Sequence, residues 1–464
     1  MYRSLTSIAC FITLALFATT AAAQEQTFSA AQIKEDIDFL KSELKEKHPN
    51  LYLYSRPEVF ESFFAELYQH IPDSMTELEA YRFITPVSAI IKDGHTLFFP
   101  GDRTVEYYYQ NGVYFPFKIY WDGEALFVAM SFCRTTKIPE GAEITGINGV
   151  AAAEIMKYCL ERMMHDGENE TYPIWVLNNW FNEYYSYFFG HPKVFEIQYR
   201  LKDGVLRSET IDALSRQDIA TNRAKNYPVR VMGNKKKDGI TLEFIDGSKT
   251  AVLTIKDFHR ATLRQSYGQA FRKTIRQYFT QIGEKGVEHL ILDMRNNQGG
   301  EMGYGTLLLS YLLHEPFSIV EEYYKVGSPH AAPENRNIKC KGPSMGTFRP
   351  KSNAFRGKLY VLVNGGSFSN TCMVSSALRH YKRGVFIGEE TGGNPNIICG
   401  SVQYKTLPNT KIKVEIPTLR FILRNKEQHN GRGLMPEHLI RPSIQDVIQN
   451  RDVVKAYATG LIPK

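Results

Sequence analysis

The sequence predicts an α/β fold for its carboxyl-terminal half, preceded by a helical segment and a β-rich one. Three observations carry that prediction. From Ile240 onward, short apolar runs alternate with amphipathic stretches, the pattern of strands joined by crossover helices. Between Ser29 and Lys92 the apolar residues recur at helical spacing. From about Val105 to Leu201 the period shortens towards two.

In chain order, Met1-Tyr-Arg3 is a short positive start, Ile8 to Leu16 is apolar, and Ala21-Ala-Ala23 precedes Gln24. This is the layout of a secretory signal peptide over residues 1–23, and it places the mature chain in the periplasm or outside the cell. Cys10 lies inside the apolar stretch, too early for a lipid-attachment cysteine, and no later segment is apolar enough to span a bilayer.

Residues 24–100 read as a helical domain. Ile33, Ile37, Leu40 and Leu44 mark one helix, with Ser29 as N-cap and His48-Pro49 as its stop. A second starts near Pro57, with Phe60, Phe63, Phe64, Leu67 and Ile71 on its apolar side. Thr76-Glu-Leu-Glu79 is a capping box for a third helix that reaches Ile91. Residues 101–230 read as a small β-domain with a helical extension. Val113–Ile119 and Ala125–Ala129 are strands, joined by the turn Trp121-Asp-Gly-Glu124. Then Ile138-Pro-Glu-Gly-Ala-Glu-Ile-Thr-Gly-Ile-Asn-Gly149 leads into a helix from Ala151, the order seen in PDZ modules that capture chains at a sheet edge. A β-domain without peptide binding stays open beside that reading.

Residues 231–464 form the α/β part. Ala251–Ile255, His289–Asp293, Leu359–Val363 and Val385–Ile387 are strands; Leu263 to Ile282 and Asn370 to Tyr381 are helices. The 464-residue chain, 43% hydrophobic and 23% charged, has enough apolar residues for a substantial core. Its net charge of +7 is spread out apart from Lys235-Lys-Lys237, which reads as a solvated loop and gives no case for a nucleic-acid partner. After cleavage Cys133, Cys159, Cys340, Cys372 and Cys399 remain, an odd number without zinc-type spacing, so stability is expected from packing.

Four segments carry chemistry. In Val363-Asn-Gly-Gly-Ser-Phe-Ser-Asn-Thr-Cys372 two serines stand between a strand and a helix, beside the helix's partially positive end. Ser367 and Ser369 are each candidate nucleophiles and each candidate helix caps. Cys372, three residues on, falls inside the helix, where a thiol is poorly presented. Asp293-Met-Arg-Asn-Asn-Gln-Gly-Gly-Glu301 follows a strand directly, and its paired glycines allow backbone N–H groups to face an anion. Neither GxxxxGK[ST] nor GxGxxG is present there, which argues against phosphate binding. Lys92-Asp-Gly-His-Thr96 puts His95 at an element boundary, and histidine is the usual base for a serine. Glu427-Gln-His-Asn-Gly-Arg-Gly-Leu-Met-Pro-Glu437 offers carboxylates able to orient an imidazole.

With these segments in order, the chain resembles the tail-specific, or C-terminal-processing, serine peptidases, in particular their tricorn-core-like branch among exported bacterial proteins. "DGHT", "GAEITGING", "LILDMRNNQGG", "LYVLVNGGSFSN", "VFIGEETGG" and "GRGLMPEH" carry the resemblance over most of residues 85–445. It implies a core of the crotonase and Clp-protease type and hydrolysis of polypeptide substrates, with no metal or organic cofactor. It also implies Ser369 rather than Ser367 as nucleophile, with oxyanion donors from Gly299 or Gly300 and from Asn370. The processing branch has a lysine base shortly after "GE-T-G", where this chain has Asn394. The tricorn-like branch uses histidine and glutamate, which matches His95 and Glu427, with Glu437 as the competitor. That branch also has a serine before its histidine, where Gly94 stands here. Two rival readings belong to other classes: a non-catalytic peptide or apolar-ligand binder on the same fold, and an acyl-CoA enzyme of crotonase type, against which the signal peptide argues. Oligomeric state is not legible.

Overall fold

The structure is a computed structural model and describes residues 26–228, 238–245, 247, 249–425, 427 and 431–463. The expected signal peptide and the Lys235–Lys237 run lie outside the described residues. Among the described residues no helix is long and apolar enough to cross a membrane.

The first helix, Ala30–Lys47, begins as expected: Ser29 accepts from the Gln32 N–H, and Gln32 returns the bond to the Ser29 backbone. Its buried stripe of Ile33, Ile37, Leu40 and Leu44 packs beside the helix Pro57–Gln69. The single third helix expected from Thr76 to Ile91 is instead two, Glu77–Ile84 and Val87–Ile91. The break falls at Thr85-Pro86, where proline lacks the N–H that a continuous helix needs. Val87–Ile91 ends at Lys92 in the left-handed conformation, and this turns the chain into the His95 loop. The stretch near Val105, read as the start of a β region, is a surface helix, Asp102–Asn111.

The middle of the chain builds an antiparallel sheet. Its order is Leu206–Asp212, Val194–Arg200, Glu143–Ile147, Leu126–Ser131, Phe117–Trp121, and two helices, Ala152–Leu160 and Thr171–Phe189, accompany it. The helices of residues 30–91 and this sheet share one continuous apolar core, from Phe28 to Ile211.

From Ile240 the second core begins. Its sheet runs Ile240–Ile245, Thr250–Ile255, His289–Asp293, Lys358–Val363, Val385–Gly388, His438–Leu439. The first pair is antiparallel and every later pair parallel, as the alternation of strands and helices requires. The helix expected from Leu263 to Ile282 is divided into Arg260–Tyr267 and Phe271–Glu284 by Gly268, a left-handed helix end. A second sheet places Asn337–Cys340, Val320–Val326, Lys413–Leu423 and Ile397–Thr406 side by side. Leu97–Phe99, just after His95, pairs antiparallel with Lys413–Leu423 and so ties the histidine segment to the carboxyl-terminal half.

Candidate active site

The parallel strands His289–Asp293 and Lys358–Val363 end in the two glycine-bearing loops, which brace each other. Ser367 is buried, with its hydroxyl donating to Met294 O (2.9 Å) and accepting from Asn364 N (3.1 Å). Phe368 N donates to Asn297 O, and the Asn297 side chain spans Ile255 O and Gly299 N. Asn296 N donates to Asn364 Oδ1. Both of Ser367's hydrogen-bonding roles are therefore spent holding the loops together.

Ser369 differs on every count. Its backbone, at φ 55° and ψ −122°, occupies a region that costs a non-glycine residue about 1–3 kcal/mol, and the surrounding bonds hold it there. It stands at the N-cap position of Asn370–His380, yet its side chain makes no capping bond. Its Oγ instead lies 3.0 Å from His95 Nε2. Neither serine caps the helix, and only Ser369 faces the imidazole.

Gly299 lets the neighbouring loop approach. It sits at φ +95°, and a Cβ there would come within 2.7 Å of both Ser369 Cβ and Asn370 N. Its own N–H donates to Asn297 Oδ1 at 2.9 Å, so of the three expected oxyanion donors Gly299 is already engaged. The N–H groups of Gly300 and Asn370 have no acceptor among the described residues. The Asn370 N–H is one of the unpaired first-turn donors of its helix, at its positive end.

His95 is half-buried, and its ring lies against Phe368 at 4.6 Å between centroids. Phe368 in turn stacks on Tyr172 at 4.1 Å and 11°. Gly94 is what admits this contact, since a Cβ there would stand 2.8 Å from the Phe368 ring. Burial holds the His95 imidazole below its ordinary range, with the Asp93 charge opposing, so the ring is neutral and able to accept a proton at neutral pH. Behind it, Asp93 Oδ1 accepts from the His95 backbone N–H (2.9 Å) and from Thr96 Oγ1 (3.3 Å). Thr96 Oγ1 also meets His48 Nε2 at 2.8 Å, while His48 Nδ1 accepts from Asn50 N, which leaves Nε2 as the protonated nitrogen. Burial alone would raise the Asp93 carboxyl, but the facing His48 and His95 rings hold it low.

The carboxylates expected from the last segment are elsewhere. His95 Nδ1 is buried without a hydrogen-bond partner among the described residues, so no bond joins it to Glu427. Glu427 is exposed, its main chain held by Asn396 Nδ2 (2.7 Å) and Asn425 Oδ1 (3.1 Å). Its assignment rested on the resemblance, which says nothing of side-chain reach in this chain. Glu437 pairs with Arg379 at 3.1 Å and accepts from Phe386 N, a structural role. The carboxylate that sequence reasoning passed over is Asp93, two residues from His95 in the quoted motif. Asn394, where a lysine would stand in the processing branch, uses its side chain on Tyr54 Oη (2.7 Å), Asn396 N and Ile397 N. Cys372 donates to Ser367 O, and burial pushes its thiol up to about 12, far from a thiolate at neutral pH. Among the described residues no group of three or more His, Cys, Asp or Glu side chains is arranged to hold a metal ion.

Residues 249–440 match the family model described as peptidase family S41. The "Carboxy-terminal processing protease CtpA" of Bacillus subtilis (strain 168) is 22% identical over 197 residues, 42% of this chain and 38% of that protein. The match thus spans little more than a third of that relative's length. Among solved structures, mature CPAF superimposes with a TM-score of 0.66, covering 93% of this chain and 96% of the other at 12% identity. Its complex with lactacystin gives 0.64. At that identity the likeness is one of fold.

Proposed function

The chain carries the peptidase family S41 domain, and from that premise we propose that it is an exported serine peptidase that cleaves polypeptides through an acyl-enzyme, with Ser369 as nucleophile and His95 as base. The observation that carries the reading is the 3.0 Å approach of His95 Nε2 to the uncapped hydroxyl of a strained Ser369. His95 takes the Ser369 proton as Oγ attacks the scissile carbonyl, and the Gly300 and Asn370 N–H groups receive the oxyanion. The protonated imidazole returns its proton to the leaving amine, and the acyl-enzyme is then hydrolysed by water activated on the same ring. Asp93, ionised in the same loop, supplies the counter-charge to the imidazolium. Residues 1–23 direct the chain out of the cytoplasm. The middle antiparallel sheet, between Phe117 and Asp212, is the part of the chain we assign to holding the substrate segment.

A fluorophosphonate probe tests the assignment, with cleavage of an unfolded protein followed in parallel. Wild type is expected to be labelled and active, and Ser369→Ala neither. Ser367→Ala is expected to keep labelling but lose about 1–3 kcal/mol of stability, because it leaves buried partners unpaired. Equal labelling of Ser369→Ala and wild type would move the nucleophile elsewhere, and an unlabelled, inactive wild type would end the peptidase reading.

A further inference from the structure

The turn between the two middle helices, residues 165–169, is wedged between the histidine loop and the carboxyl-terminal core. Gly167 N donates to Lys92 O (2.9 Å), and Glu168 N donates to Gly431 O (3.0 Å). Asn169 Nδ2 reaches Glu390 Oε1 (3.0 Å) and Thr391 O (2.9 Å) in the "GEETGG" turn. At the centre is Asp166, 3% exposed. Its Oδ1 accepts from Gly94 N at 2.7 Å and its Oδ2 from Asn394 N at 3.1 Å. One carboxylate thus holds the residue preceding His95 and the turn that packs against Phe368 and Cys372, both flanking Ser369.

We propose that Asp166 is a positioning residue for the catalytic pair: by gripping the Gly94 and Asn394 N–H groups with its two oxygens, it sets the His95 imidazole at bonding distance from Ser369. The inference rests on the peptidase reading. The two donors point at different oxygens of one side chain, and a carboxylate offers a strong acceptor on each. An amide keeps one acceptor and turns its own N–H towards the other donor.

Asp93 faces Asp166 from the histidine loop, and Tyr54, Tyr172, Cys372 and Cys399 surround it from the other packed elements. Burial and the Asp93 charge push its carboxyl up to about 7, against the two N–H donors. Since the folded value lies above the unfolded one, the ionised side chain lowers fold stability as pH rises through that interval.

Asp166→Asn in the purified protein separates positioning from a merely structural role. The expected result is a kcat lower by about 10- to 100-fold, the loss that misplacing a catalytic group by about 1 Å produces, with KM within about threefold of wild type. Tm at pH 8 is expected to equal or exceed that of wild type. Wild-type kcat/KM should fall below pH 7 with a slope steeper than one, because Asp166 and His95 must both be deprotonated. In Asp166→Asn the fall should reduce to the single His95 ionisation. Wild-type kcat in the variant, or a loss of activity that only follows a fall in Tm, overturns the inference. Should Asp166→Asn fail to fold, Asp166→Glu decides: moving the carboxylate by one methylene should lower kcat at little-changed KM, and wild-type kcat in that variant overturns the inference. A wild type that is neither labelled by fluorophosphonate nor active overturns the peptidase reading, and this inference with it.

Discussion

The two halves of the site are built in different ways. Ser369 stands on the second core, and its geometry is local: a strand end, a bracing Ser367, a strained backbone and a helix start within a dozen residues. His95 belongs to the first core and reaches the serine only through contacts distant in sequence. These are the strand Leu97–Phe99 on Lys413–Leu423, the Phe368 ring and the 165–169 turn. Phe368 marks the junction, since it lies between the two serines yet packs into the first core. A nucleophile can be fixed by its own loop, whereas its base here depends on how two cores meet.

With Ser369 itself left in place, the largest effect should come from breaking the distant half. His95→Ala is expected to lower kcat by at least about 10³-fold while Tm changes little, because the ring is half-buried rather than part of an apolar core. Steady-state kinetics with a thermal melt checks both. The pH dependence has a defined sign. Burial depresses the imidazole, so the reactive neutral form persists below the ordinary histidine value and is lost as pH falls further. The same shift makes neutral His95 favour folding above the unfolded value and lose that contribution on acidification. A variant retaining a tenth of wild-type kcat would exclude His95 as the base.

Breaking the local half should cost less. Gly299→Ala puts a methyl group 2.7 Å from Ser369 Cβ and Asn370 N, at a backbone φ of +95°. The obstructing atoms belong to the nucleophile loop itself and cannot swing aside, so the loops must separate. We expect kcat to fall about 10²-fold, and about 1–3 kcal/mol of stability to be lost to backbone strain. Wild-type kcat with an unchanged Tm would mean that this close approach is not needed.

The same contrast explains what could be read without coordinates. The capping box at Ser29, the strand at Leu359 and the helix from Asn370 follow from residues within one turn or one pleat of each other, and each is found. The helices drawn through Pro86 and Gly268 are broken because periodicity of apolar residues outweighed the backbone chemistry of single residues. Ser369 and His95 were legible from short motifs, and the structure brings them together. Asp166 was not: 72 residues separate it from Gly94, it sits in an unremarkable His-Asp-Gly-Glu turn, and its role exists only once three segments converge. Glu427 is the converse, a residue taken from the resemblance that makes no hydrogen bond to the ring.

That last difference sets the smallest expected effect. His95 Nδ1 carries a proton when Nε2 accepts one from serine, and this donor is buried without a partner among the described residues. Two carboxylates compete to compensate the imidazolium. Asp93 is buried in the same loop, held ionised, and fixed by the His95 N–H and Thr96. Glu427 is exposed, on a turn anchored by Asn396. A charge in a buried site acts more strongly than one in solvent, where the effective dielectric is several times higher. Asp93→Asn should therefore reduce kcat by about 10²-fold and move the acid limb of the rate profile to lower pH, because it removes the charge that opposes the depression of His95. Glu427→Gln should reduce kcat by only about threefold to tenfold and leave that limb in place. Kinetics of both variants from pH 5.5 to 9 gives the order. If Glu427→Gln proves the more damaging, the reacting enzyme must bring that carboxylate onto Nδ1, and the turn at Asn396 becomes the part of the molecule that closes the site.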